Sequence, residues 1–190
     1  SLYSFQSTQK NTVIMMIDPR CFILFGANIV LLYLTQLVNS SLSAWSLHLM
    51  LLGPMIILPA LYLKFRDGLL CCLLTGLWID AALPVPYGLF TGGSIMACSI
   101  LYTFRHRFRA EHNYHPIVLS HIINLAALIL VCCKLNYGQL DSSAYWTQVL
   151  VTALLSHLCL LFISPWFFNV ERLLFNLMHV DTDPVDLPIH

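Results

Sequence analysis

One acid sits in an apolar setting: Asp80, in the run Gly76-Leu77-Trp78-Ile79-Asp80. A carboxylate there can serve as acid, base, ion ligand or fixed hydrogen-bond acceptor. At membrane depth such a group is costly, and it persists only facing a bundle interior, a wet cavity or the interface. A proton or ion relay would want a second acid or a base at comparable depth, and none stands there. The structural alternative rests on Pro84, four residues on. Asp80 can cap the end of its helix or bond backbone groups that the prolines set free. The two readings are compatible, and both stay open.

Histidines form the next constellation. Ser120-His121 and Ser156-His157 repeat one dipeptide in two apolar runs. A serine hydrolase needs nucleophile, base and oxyanion site within mutual reach. Adjacent residues of a helix point about 100° apart, so neither dipeptide supplies such a pair by itself. There is no Gly-x-Ser-x-Gly, and an aspartyl intramembrane protease would need a second acid. His48, His121 and His157, with Asn124, are therefore expected to form interhelical hydrogen bonds or to line a polar interior. Haem ligation by a His pair has only the residue type behind it. No cofactor and no metal is expected.

The third group is basic: Arg105, Arg107 and Arg109, with His106, His112 and His115 close by. Such a run anchors a membrane protein through anionic headgroups or docks an acidic surface of a partner.

Composition says what must position these groups. Only 9% of the 190 residues are charged and 58% are hydrophobic, with mean hydropathy +0.77. No stretch is polar enough for an independent soluble domain, which excludes an ordinary globular enzyme. Nine basic and nine acidic side chains cancel, and nucleic-acid binding would want a basic excess. The seven cysteines (21, 71, 72, 98, 132, 133 and 159) mostly fall in apolar runs and read as small buried hydrophobes. No cleavable leader is expected, because the first apolar run is followed by more membrane.

A hydrocarbon core of about 30 Å asks for about 20 apolar residues per helix. Six segments answer: 21–39, 42–63, 68–83, 88–104, 117–137 and 145–168. Asp18 and Pro19 offer a cap and a first turn for the first of them, while Pro54 and Pro59 predict a kink in the second. The third and fourth are short and joined through Pro84 and Pro86. Six crossings put Lys10, Arg20, Lys64, Arg66, Arg105, Arg107, Arg109 and Arg172 on one side and Lys134 alone on the other. The positive-inside rule then places both termini in the cytoplasm. The expectation is an all-α polytopic membrane protein of six transmembrane helices. An N-terminal segment (1–20) precedes the membrane domain (21–168). A cytoplasmic amphipathic helix and acidic tail (169–190) follow, the helix carrying Val170, Leu173, Leu174, Leu177 and Met178 opposite Glu171, Arg172 and Asn176.

The stretch from Gly68 to Arg109 resembles the rod shape-determining protein MreD family. The likeness is carried by Gly76-Leu77-Trp78-Ile79-Asp80, the further step to Gly88, a small-residue-rich span ending in Tyr102, and the basic run at Arg105 to Arg109. Elsewhere it extends only to hydropathy and span number. The longer N-terminal segment, Pro84-Val85-Pro86 and the C-terminal extension depart from the pattern. The resemblance marks Gly76, Asp80 and Gly88 as the motif and gives none of them a catalytic role. It implies a non-enzymatic scaffold of cell elongation in a bacterial inner membrane. The partners it implies are an MreC-like protein, a RodA-type glycosyltransferase with its class B penicillin-binding protein, an MreB-like filament, and membrane lipids. The family's fold is similar to that of the substrate-binding S components of vitamin transporters. A small-molecule binding subunit is therefore the alternative, with a pocket around Asp80, His121 or Asn124. An intramembrane hydrolase comes third. A polar, outward-opening pocket would favour the transporter, and a plugged apolar centre the scaffold.

Overall fold

The computed structural model describes residues 18–83, 86–109, 115–135 and 143–178, with the side chains of 106–109, 115, 134 and 135 outside that description. Six α-helices follow one another: α1 (Pro19–Leu42), α2 (Gly53–Tyr62), α3 (Phe65–Ala82), α4 (Leu89–Arg109), α5 (His115–Leu135) and α6 (Ser143–Leu177). There is no strand among the described residues. α1 begins where the sequence asks it to. Pro19 takes the first turn, and the Asp18 carboxylate accepts from the Arg20 N–H at 3.0 Å.

Among the described residues three stretches are long and apolar enough to cross a membrane: Pro19–Trp45, Pro116–Cys133 and Ser143–Leu177. The second expected span, 42–63, is not a continuous helix. α1 ends at Leu42 and passes through a 3₁₀ turn, Ser43–Trp45. Ser46 then turns left-handed at φ 55°, and helix resumes only at Gly53. Pro54 therefore opens a helix, where its missing N–H costs nothing, and of these two prolines only Pro59 lies inside one. α2 has 10 residues and so measures about 15 Å, half the hydrocarbon thickness.

That short helix is the hub of the bundle. It packs against each of the other five helices, and every residue from Gly53 to Leu61 is buried. A helix apolar on all sides belongs at the centre. Gly53 permits the closest approach, because a Cβ there would run into the Ser120 carbonyl of α5. In and around it Leu24, Met55, Ile57, Ile79 and Leu160 are all at most 1% exposed, and so are Asn28, Ser120, Asn124 and Ser156, which set polar groups among the hydrocarbon.

Two further expectations change. The fourth helix runs on to Arg109, so the basic run is helical rather than a loop at its start. The sixth continues unbroken to Leu177, so the separate amphipathic helix after 168 is the last part of α6. Its two faces do not separate as expected. Arg172 and Asn176 are exposed, but so are Leu173 and Leu177, at 61% and 72%, while Glu171 is fully buried. In a bilayer the outer face of a helix is the lipid face, and polarity there is penalised rather than favoured. The acidic tail (179–190), the N-terminal residues 1–17 and Pro84-Val85 lie outside the described residues.

Candidate functional site: the Asp80 clamp

α3 and α4 form the most intimate helix pair of the molecule, and Gly76 explains how. A Cβ at Gly76 would lie 2.6 Å from the Cα of Thr91 and 3.0 Å from its N. Only glycine lets the first turn of α4 lie against α3 at this point. One turn further along α3, Asp80 meets the same turn with its carboxylate. Oδ2 accepts from the Gly88 N–H at 3.0 Å, the Thr91 N–H at 3.0 Å and the Thr91 hydroxyl at 2.6 Å. Oδ1 accepts from the Phe90 N–H at 2.9 Å. The first N–H groups of a helix have no partner within it, and an anion is favoured against them. Asp80 thus caps the start of the next helix across a turn. Gly88, at φ +91°, supplies the left-handed residue that brings the chain around.

Gly76, Asp80 and Gly88 are therefore one device. Its chemistry is that of a fixed acceptor: three donors converge on Oδ2 and one on Oδ1, with the residue 2% exposed.

The histidines meet as well. His121 on α5 and His157 on α6 bring their Nδ1 atoms to 2.9 Å, with ring centroids 5.2 Å apart and planes at 26°. One Nδ1 must carry the proton and the other accept it. The serine of each dipeptide points elsewhere. Ser120 Oγ bonds the Pro116 carbonyl and receives the Ser164 hydroxyl at 3.1 Å. Ser156 Oγ accepts the Met50 N–H at 3.1 Å. Neither serine faces its neighbouring histidine, and His48 is exposed and apart. Among the described residues no group of three or more His, Cys, Asp or Glu is arranged to hold a metal.

Asn124 belongs to a second polar system, which sequence reasoning missed. The backbone between Ser46 and Gly53 is non-helical and its polar groups need partners. Asn124 Oδ1 accepts the Leu52 N–H at 3.1 Å. Asn39 brackets Leu49, accepting its N–H at 2.6 Å and donating to its carbonyl at 3.0 Å. Asn28 Nδ2 reaches the Met55 carbonyl and the Thr75 hydroxyl. Non-helical backbone at such depth is tolerated only inside protein or beside water, and Asn39, Asn124 and Ser156, from three helices, provide partners for it here.

Arg105 departs from its expected role. It is 1% exposed, its guanidinium carbon lies 4.3 Å from the centre of the Tyr102 ring, and Nη1 reaches the Leu63 carbonyl at 3.4 Å. The guanidinium is spent on an aromatic face and a helix end, so it does not reach headgroups. The side chains of Arg107 and Arg109 lie outside the described residues.

Comparison with protein-family models, with curated proteins and with solved structures gives no match.

Proposed function

We propose that the chain is a membrane scaffold of the MreD type, acting by binding and positioning other proteins rather than by turnover. The observation that carries the reading is the buried Asp80 clamp. The residues of the local resemblance, Gly76, Asp80 and Gly88, converge on one structural joint whose acid is 2% exposed and engaged by four donors of the next helix. The close packing around α2 supports the same reading, because its buried Asn28, Asn124 and Ser156 are engaged with backbone, whereas a transporter's binding subunit would want an open polar pocket there. In this proposal the chain crosses a bacterial inner membrane six times with both termini in the cytoplasm. The extended run before Gly53 and the short α2 together make the second crossing. The partners are an MreC-like protein, a RodA-type synthase with its class B penicillin-binding protein, and an MreB-like filament.

Affinity purification of a tagged chain from native membranes, with mass spectrometry of what accompanies it, tests the reading. Recovery of MreC-like and RodA-like proteins is expected. A pair of ATPases with a coupling membrane subunit would replace the scaffold with a transporter's binding subunit.

A further inference from the structure

The second buried acid of the bundle is placed quite differently from Asp80. Glu171 is fully buried, yet neither Oε1 nor Oε2 has a hydrogen-bond partner. Asp80 at 2% exposure meets four donors. Around Glu171 the inner face of α6 carries Phe167, Phe168 and Phe175, all buried. They stand three or four residues from it, on the same side of the helix. Aromatic rings occupy the places where donors would be needed.

Among the described residues, nothing that faces this carboxyl can balance a negative charge. From α3 the Cys71 thiol lies within electrostatic reach of it. Cys71 in turn hydrogen-bonds Cys21 of α1, near which stand Asp67 and Asp18. These are thiols and acids. Arg20 of α1 faces Asp18 at 3.8 Å, and Arg172, next in the chain, is exposed. α2 has no charged residue. On α5, His121 is held by His157, 14 residues before Glu171 and about 21 Å along α6. The side chains of His115 and Lys134 lie outside the described residues.

An ionised carboxylate with neither donors nor a countercharge is not sustained in such a place, and the group neutralises instead. Glu171 therefore carries a proton when α6 is seated. An ionisable group kept at this depth without a structural partner is by default a functional one. It stands six residues before Leu177, the end of α6, which is about 9 Å. Opening of the last turns alone uncovers it.

We propose that Glu171 is a proton-binding site that latches the end of α6. The carboxyl holds its proton while the last turns lie against the bundle and yields it to water when they lift away. The latch is independent of the scaffold reading and holds for a transporter subunit equally. Its closed form binds one proton more than its open form. Closure is therefore strongest below the ordinary glutamate pKa of about 4.3 and weakens as pH rises. The opening equilibrium grows by up to about tenfold per pH unit, until the closed form ionises too.

Infrared spectroscopy reads the proton, and hydrogen exchange reads the latch, both on the full chain in phospholipid nanodiscs. At neutral pH the wild type is expected to show the carbonyl band of a protonated carboxyl, and Glu171→Gln to lack it. Between about pH 5 and pH 8, opening of residues 167–177, corrected for intrinsic exchange, is expected to rise by up to about tenfold per unit in the wild type. In Glu171→Gln it should not follow pH. Glu171→Leu is a second variant that cannot titrate and suits the aromatic surroundings, and it should match Glu171→Gln in both readings. A band that is absent from the wild type, or that persists in both variants, overturns the proposal. So does one and the same pH dependence of opening in all three proteins.

Discussion

The turn between α3 and α4 and the break between α1 and α2 pose the same problem, backbone groups stranded in a nearly water-free interior, and the chain meets it differently in each. At the turn, one charged acceptor serves three N–H groups and a hydroxyl, all within 11 residues of Asp80. At the break, neutral side chains serve one or two groups each, and two of them come from far along the chain. Ser156 is 106 residues from Met50, and Asn124 is 72 from Leu52. The first joint can form as soon as two consecutive helices meet. The second needs α5 and α6 in place, because no local residue can hold those two N–H groups. A charge concentrated in one side chain makes a joint self-sufficient. Dispersed neutral partners make a joint that reports on the whole bundle.

Removing the acid tests this contrast most severely. Asp80→Ala leaves three N–H groups and the Thr91 hydroxyl without their charged acceptor, and should destabilise the chain by about 3–5 kcal/mol. Denaturation of the purified protein by SDS titration measures it, and a loss below about 1 kcal/mol would mean the clamp is not what joins α3 to α4.

Closing the gap between the two helices comes next. Gly76→Ala places a methyl against the Thr91 backbone and should cost about 1–3 kcal/mol by overpacking, read in the same titration. It acts on the same joint, so combining it with Asp80→Ala should cost less than the two losses added. Strict additivity would separate the glycine from the acid and dismantle the single device described above.

The smallest effect belongs to the break. Asn124→Ala removes the partner of the Leu52 N–H and should cost about 0.6–1.7 kcal/mol, the scale of interhelical hydrogen bonds in membranes. Protease cleavage or hydrogen exchange should locate the loosening between Ser46 and Gly53. An Asn124→Ala protein less stable than Asp80→Ala would reverse the ranking of the two joints.

The sequence makes the first joint legible and hides the second, for a physical reason. Asp80 stands out because a carboxylate is rare in apolar surroundings, and its donors lie just past a proline-bounded turn. The start of α1 is written as locally, in Asp18-Pro19. The break carries no such mark. Ser46-Leu47-His48-Leu49-Met50-Leu51-Leu52 has no glycine or proline and scores as membrane helix. Its conformation is set by Asn39, Asn124 and Ser156, whose approach only the folded bundle creates. Gly53-Pro54 was the available hint, since glycine followed by proline opens a helix as readily as it kinks one. Glu171 was misread for a related reason. Helical periodicity groups residues by face but does not say which neighbour each one meets, and here Glu171 alone of its group is turned inward. The burial of Arg105 depends on Tyr102, one helical turn before it, and on Leu63 of another segment. Only the first of these was within reach of sequence spacing.

The length of α6 has a mechanical consequence. Its 35 residues make a rod of about 52 Å, against a hydrocarbon core of about 30 Å. Even at a tilt of about 40°, the upper end of the usual range, about 10 Å of it stands clear of that core. Such a rod is a lever with its fulcrum in the bilayer. Ser156 rides on it and grips the Met50 N–H of the broken segment. A tilt of α6 would therefore act on the break before α2 through that bond.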